Sequence, residues 1–186
     1  MMKKSIAAAL LCSGLFVSTG ALADNHTVSM GYAQSNIKDF KNLRGVNAQY
    51  RYEWDSPVSI IGSLSYMDSN NETFYSDING LSVKGDLDVK YHSILAGPAY
   101  RINDYLSLYG LVGTAYTKAN VELTLSGVTG SKSESDSSTN FAYAAGLAIN
   151  PTDNLSVNVG YEGSRSRLYD DKISFNGFNI GVGYRF

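Results

Sequence analysis

The residues of this chain that could carry chemistry are few. There are two histidines, His26 and His92, and one cysteine, Cys12. Asp88 precedes His92 by four positions, with Lys90 between them on the same face of an extended segment. At about 3.4 Å per residue the carboxylate and the imidazole sit ~13 Å apart, too far for a direct acid–base pair. His26 stands alone before the first patterned segment, and no Ser, His and Asp grouping is visible, so catalysis is not expected. The acidic residues Asp68, Glu72, Asp77, Asp86 and Asp88 are scattered without the ordered spacing of a calcium loop, and no metal site or cofactor is expected. The remaining charges of interest, Arg51, Glu53, Arg101, Glu162 and Arg185, are interesting for where they fall in the elements that carry them.

Those elements are strands. The chain closes on FNIGVGYRF, in which Phe178, Ile180, Val182, Tyr184 and Phe186 alternate with Asn179, Gly181, Gly183 and Arg185. Successive side chains of a strand point to opposite faces, so one face of this segment is apolar and the other small or charged. Leu155, Val157, Val159 and Tyr161 alternate in the same way with Ser156, Asn158, Gly160 and Glu162. Val46, Ala48, Tyr50 and Tyr52 alternate with Asn47, Gln49, Arg51 and Glu53. Softer versions at 28–32, 60–66, 94–100, 106–116 and 141–149 bring the expected strands to eight.

The first residues say where such strands would live. Lys3 and Lys4 precede the apolar stretch SIAAALLCSGLFV, and ALA at 21–23 is the small-x-small pattern of a signal-peptidase site, so 1–23 reads as a cleaved secretory signal and 24–186 as one domain. A lipoprotein signal at Cys12 is disfavoured, because Leu11 stands where a small residue is needed and the apolar stretch runs past the cysteine. Removing the signal leaves 13 basic against 17 acidic residues, a net charge of −4. That balance argues against nucleic acid, which requires a clustered basic surface. Without a second cysteine the exported part has neither a disulfide nor a thiolate metal site. No later apolar run approaches the ~20 residues of a transmembrane helix, so a membrane-embedded chain would cross as strands.

Two kinds of connection alternate between the strands. EWDSPV, INDYL and NPTDNL are short and carry the Asp, Asn or Pro of tight turns, and each is followed by a strand opening on Ser59, Ser107 or Ser156. The connections near 34–43, 67–88, 117–140 and 164–176 are long and rich in Ser, Asn, Asp and Gly. Short turns at one end and long loops at the other predict an eight-stranded antiparallel up-and-down transmembrane β-barrel. A secreted β-sandwich is the competing architecture. Its solvent face would carry long charged residues, whereas the polar face here is built from Ser63, Ser65, Gly113, Ala115, Ala142, Ala144, Gly146, Gly160, Gly181 and Gly183. The apolar face ends repeatedly in tyrosine, as an interfacial girdle does. In a barrel of ~8 strands the interior is filled by side chains. Arg51, Glu53, Arg101, Glu162 and Arg185 are then expected to pair in an interior ionic network, because an unpaired buried charge is costly.

The motifs GYAQS at 31–35, AGPAYRIND at 96–104, LSLYGLVG at 106–113, YAAGLAINP at 143–151 and the final GVGYRF resemble the Ail/OmpX family of small enterobacterial outer-membrane proteins, which also includes PagC, Rck and Lom. Five blocks in order cover the strands and short turns of nearly the whole exported chain. The resemblance implies an outer-membrane location with the long loops outside the cell. It also implies that the terminal aromatic residues Tyr184 and Phe186 form the signal read by the barrel assembly machinery.

Function is then expected on the loops. The candidates for host binding are Phe40, Phe74, Tyr75, Leu81, Lys84, Tyr169 and Phe175, since aromatic and basic residues on exposed loops are the usual anchors of interfaces. Lys41, Arg44, Lys118, Arg165 and Arg167 fall near the outer rim, placed to meet lipopolysaccharide phosphates. The segment SGVTGSKSESDSSTN is polar enough to be mobile, although the neighbouring NVELTL still alternates and could extend its strands as a ribbon. Resemblance to the attachment members implies a monomeric surface protein that binds host matrix such as laminin or fibronectin, epithelial cells or complement regulators, and confers serum resistance. The alternative is a structural or envelope-stress barrel without a host ligand; a barrel enzyme or narrow pore is more remote.

Overall fold

The computed structural model describes residues 25–37, 42–69, 72–78, 81–125, 131–168 and 171–186. All its elements are strands: β1 (Asn25–Ile37), β2 (Asn42–Glu53), β3 (Val58–Asp68), β4 (Glu72–Ile78), β5 (Leu81–Asn103), β6 (Leu106–Leu125), β7 (Ser131–Thr152), β8 (Leu155–Leu168) and β9 (Asp171–Arg185). Consecutive strands pair antiparallel except β3 and β4, which both run along β5, and β1 pairs with β9. β3 and β4 therefore share one position in the wall, and the sheet closes into an eight-stranded barrel.

Closure follows from the medium. A strand edge facing lipid leaves backbone groups without partners at several kcal/mol each, roughly, so the first strand must meet the last. Here the register runs from Thr27 opposite Arg185 to Ile37 opposite Phe175. Beyond it, His26 and Phe186 exchange both backbone hydrogen bonds at 2.9 Å. The His26 ring stacks on Phe186 with centroids 5.7 Å apart, and its Nδ1 lies 2.8 Å from the Tyr50 hydroxyl.

The alternation read from the sequence is the alternation of the wall. Phe178, Ile180, Val182, Tyr184 and Phe186 are exposed on the outer surface, as are Ile94, at 65%, and Val112. Ser59, Ser63, Ser65, Ser107, Ala115, Ala142, Ala144 and Ser156 are buried inside. Tyr32, Tyr66, Tyr116, Phe141, Tyr161 and Phe178 are exposed toward one end of the barrel, Tyr100, Tyr105, Tyr184 and Phe186 toward the other. These two aromatic rows bracket the apolar band. The three short connections are turns at the second end. Asp104–Tyr105 and Asp153–Asn154 are two-residue turns, and Asn103 Oδ1 accepts from the Tyr105 backbone N–H at 3.0 Å.

The long connections depart from expectation. Most of 67–88, 117–140 and 164–176 is strand: β4, the first part of β5, the last part of β6, the first part of β7, and the ends of β8 and β9. At NVELTL the extension is the ribbon that the alternation suggests, since β6 runs to Leu125 and pairs there with β7; elsewhere a strand held by pairing alone needs no apolar face, and the alternation lapses. The segment expected to be mobile is paired over Ser131–Asn140 against Ala115–Thr124; residues 126–130 lie outside the described residues.

Two interior glycines have an identifiable task. Tyr109 on β6 is buried, and its phenol crosses the wall over Gly146 and Gly160, which face each other on β7 and β8. A Cβ on either glycine would run into the Tyr109 hydroxyl. Small residues here let a large ring fill a narrow core.

Candidate functional site

At the short-turn end the interior is closed by charge. Glu53, at the end of β2 with a fully buried side chain, is held by Arg101 at 2.7 Å, Arg185 at 3.0 Å and Arg51 at 3.1 Å. The three guanidiniums come from β5, β9 and β2. Arg51 also donates to Ser59 Oγ at 2.9 Å and Ser107 Oγ at 3.0 Å, the serines that open two of the post-turn strands. Four of the five expected network members are thus brought together, three strong donors around one acceptor.

Glu162 is not the fifth, which corrects the expected network. It lies in another layer, where it accepts from Tyr91 Oη at 2.8 Å and Ser65 Oγ at 3.0 Å, and among the described residues no cation pairs with it. Alternation tells which side of the wall a residue faces, not which layer of the interior it occupies. Asn47 links the middle of the core, donating to Ser63 Oγ at 2.8 Å and Ser65 Oγ at 3.0 Å, while Asn158 donates to Ser29 Oγ at 2.7 Å. Tyr91 and Tyr109 are not among the sequence candidates, and Ser65 is read there only as a small residue of the polar face. Extending the alternation of Ile94–Tyr100 back by three residues places Tyr91 inside.

At the opposite end the barrel rises unevenly. From Tyr116 to Leu125, β6 continues for about 30 Å along its own direction at ~3.4 Å per residue. With β4, β5 and β7 it forms a four-stranded sheet above the aromatic row. Among the described residues β4 pairs only with β5, and β7 pairs with β8 no higher than Ala142 opposite Ser164, so within them both edges of this sheet are unpaired. Phe74 and Tyr75 lie on the edge strand β4, Tyr75 opposite Lys84, and Leu81 faces Ile78 at the head of the same hairpin. Four scattered sequence candidates therefore share one β-hairpin.

Phe175 is a correction. It is 2% exposed, pointing into the barrel against Tyr91 with ring centroids 5.3 Å apart, so it anchors the interior rather than offering a surface. The inner-face series Phe175, Gly177, Asn179 continues the closing strand one step further than its apolar face suggests. Phe40, Lys41 and Tyr169 lie outside the described residues. Of the rim cations, Arg44 and Arg165 are exposed and Lys118 is half-buried. Arg44 precedes Val46, the neighbour of Tyr32 and Tyr66, by one same-face step, and Lys118 lies one such step beyond Tyr116. Arg167 is opposite Lys172 at the top of the β8–β9 hairpin. Lys90, one step beyond His92 and 3.4 Å from Asp88, joins this tier and was not among the candidates.

Comparison with known proteins resolves the family. Residues 6–186 match the model described as Outer membrane protein beta-barrel domain. The virulence membrane protein PagC of Salmonella typhimurium strain LT2 is 46% identical over 95% of both chains. The chain belongs to the Ail/OmpX family. Outer membrane protein X of Escherichia coli strain K12 is 38% identical over the full length of both chains. The crystal structure of Ail, the attachment invasion locus protein of Yersinia pestis, in complex with the heparin analogue sucrose octasulfate superposes with a TM-score of 0.69 at 38% identity, covering 89% of this chain and all of that one.

As an Ail/OmpX protein the chain sits in the bacterial outer membrane, with the short turns in the periplasm and the β4–β7 sheet outside the cell. In that frame the histidines are an interface feature. His92 lies on the outer surface between Tyr66 and Tyr116, at centroid distances of 4.8 and 6.3 Å, while His26 sits at the periplasmic end among Tyr50, Tyr52 and Phe186. The two imidazoles belong to opposite aromatic rows.

Proposed function

We propose that this protein is a surface attachment factor that binds host cells or extracellular matrix and confers resistance to serum. The observation that carries this is the open-edged extracellular sheet, whose β4–β5 hairpin unites Phe74, Tyr75, Leu81 and Lys84. Aromatic and basic side chains on a raised edge suit protein recognition, and unpaired backbone groups can take an added strand. The relatives support the same reading by name, one as a virulence protein and one as an attachment invasion locus protein. Laminin, fibronectin, epithelial cells and complement regulators are the partners to test.

The test is attachment of a non-adherent laboratory bacterium expressing the protein, beside an isogenic strain in which Phe74, Tyr75, Leu81 and Lys84 are alanine, with surface levels matched by antibody. Binding lost in the variant supports the hairpin as the adhesive surface. Equal failure of both folded proteins to attach leaves the structural, envelope-supporting role that the OmpX relative represents. In the same reading Lys41, Arg44, Lys118, Arg165 and Arg167 pair with lipopolysaccharide phosphates, and Tyr184 and Phe186 are read by the assembly machinery. Cleavage after Ala23 releases the domain, and a mature amino terminus at any residue other than Asp24 would refute that boundary.

A further inference from the structure

We propose that the cavity beside Glu162 binds one monovalent cation of about sodium's size inside the barrel. The two interior carboxylates are treated differently. Glu53 has three guanidiniums, whereas Glu162, 6% exposed, has only the hydroxyls of Tyr91 and Ser65 among the described residues. Two hydroxyls fill about two of its roughly four acceptor positions and contribute no charge. A buried carboxylate without a counter-charge is costly.

The carboxylate borders a cavity of about 10 Å³, roughly the space of one water molecule, lined also by Ser35, Gln34, Asn179, Tyr91 and Phe175. Ser35 and Asn179 are 2% and 4% exposed, and among the described residues neither Ser35 Oγ nor Asn179 Oδ1 has a hydrogen-bond partner. Glu162, Ser35 and Asn179, each with an oxygen-bearing side chain, thus line the same small space. A water molecule there would satisfy the two orphaned oxygens and leave the charge unmatched. A small hard cation satisfies both demands, because hard cations take oxygen ligands. A single carboxylate matches a single positive charge. Gln34 Oε1 already accepts from Tyr32 Oη at 3.0 Å, so Glu162, Ser35 and Asn179 are the assigned ligands.

The purified barrel, folded in detergent with enough urea to bring unfolding into range, is heated in NaCl and in choline chloride at equal ionic strength. A ligand bound only by the folded state raises the midpoint, by about 4 °C at roughly ten times its dissociation constant. The expected result is a saturable rise with sodium that is absent in Glu162→Gln and reduced in Ser35→Ala. Equal midpoints in the two salts would overturn the site and leave a water-filled cavity. A sodium-dependent rise that survives in Glu162→Gln would also overturn it, by locating the effect elsewhere. Should Glu162→Gln fail to fold, Ser35→Ala decides, since an undiminished sodium response there refutes the ligand set.

Discussion

Arg185 and Glu53 are 132 residues apart in sequence and meet at 3.0 Å, reaching across β1 from the closing strand to the second. The contact ties the seam of the barrel to its neighbour on the far side. Replacing Glu53 by Gln keeps the shape but leaves Arg51, Arg101 and Arg185 crowded without a counter-charge. The barrel is expected to lose roughly 3–5 kcal/mol, the usual cost of removing one side of a buried pair. Urea unfolding of native and Glu53→Gln protein in lipid vesicles measures it, and an unchanged midpoint would show that the cluster is screened by water.

The Tyr109 phenol over Gly146 and Gly160 gives a steric prediction. Gly160→Ala should cost roughly 1–3 kcal/mol by overpacking. Combining it with Tyr109→Phe removes the hydroxyl that the new methyl meets, so the double variant should be less destabilised than the sum of the singles by more than about 0.5 kcal/mol. A double-mutant cycle on unfolding midpoints reads this directly; strict additivity would refute the contact.

Phe175 separates stability from binding. Truncation to Ala removes a ring packed against Tyr91 and should cost about 3–5 kcal/mol. Attachment per folded molecule should be unchanged, in contrast to the hairpin variant. Loss of adhesion in Phe175→Ala at matched surface level would return this residue to the binding surface.

The rim cations predict dependence on the lipid. Arg44, Lys118 and Arg165 replaced together by Gln should fold as well as native protein in phosphatidylcholine bilayers but lose most of any stabilisation gained from lipopolysaccharide. The native advantage should shrink as salt rises, because exposed pairs are screened over about 8–10 Å at physiological strength. Equal lipopolysaccharide effects in both proteins would show that these cations do not contact its phosphates.

The membrane-embedded part of this fold is unusually open to reading from residues, since lipid imposes one chemical demand on every second position. Phe178 to Phe186 shows it, with five exposed apolar or aromatic positions against an inner face of Asn179, Gly181, Gly183 and Arg185. Above the bilayer the demand lapses. Ser131–Asn140 is a strand that carries no apolar face, so composition suggested a mobile loop. The interior posed a different difficulty. Glu162 and Glu53 both face inward, but which arginine or tyrosine each meets depends on register between strands far apart in sequence. Phe175 was legible and missed, because its apolar ring drew it toward the surface although its position in the alternation puts it inside.

The polar, side-chain-filled core also bears on how the chain travels. Because every strand from Asn25 to Phe186 places a polar or small residue at almost every second position, no stretch is apolar enough in sequence to be held by the inner membrane, which retains segments of about 20 predominantly apolar residues. The same pattern that makes a lipid-facing wall once eight strands are closed looks merely half-polar while the strands are apart. Hydrophobicity sufficient for the outer membrane is therefore created by folding, and the inner membrane is crossed before it exists.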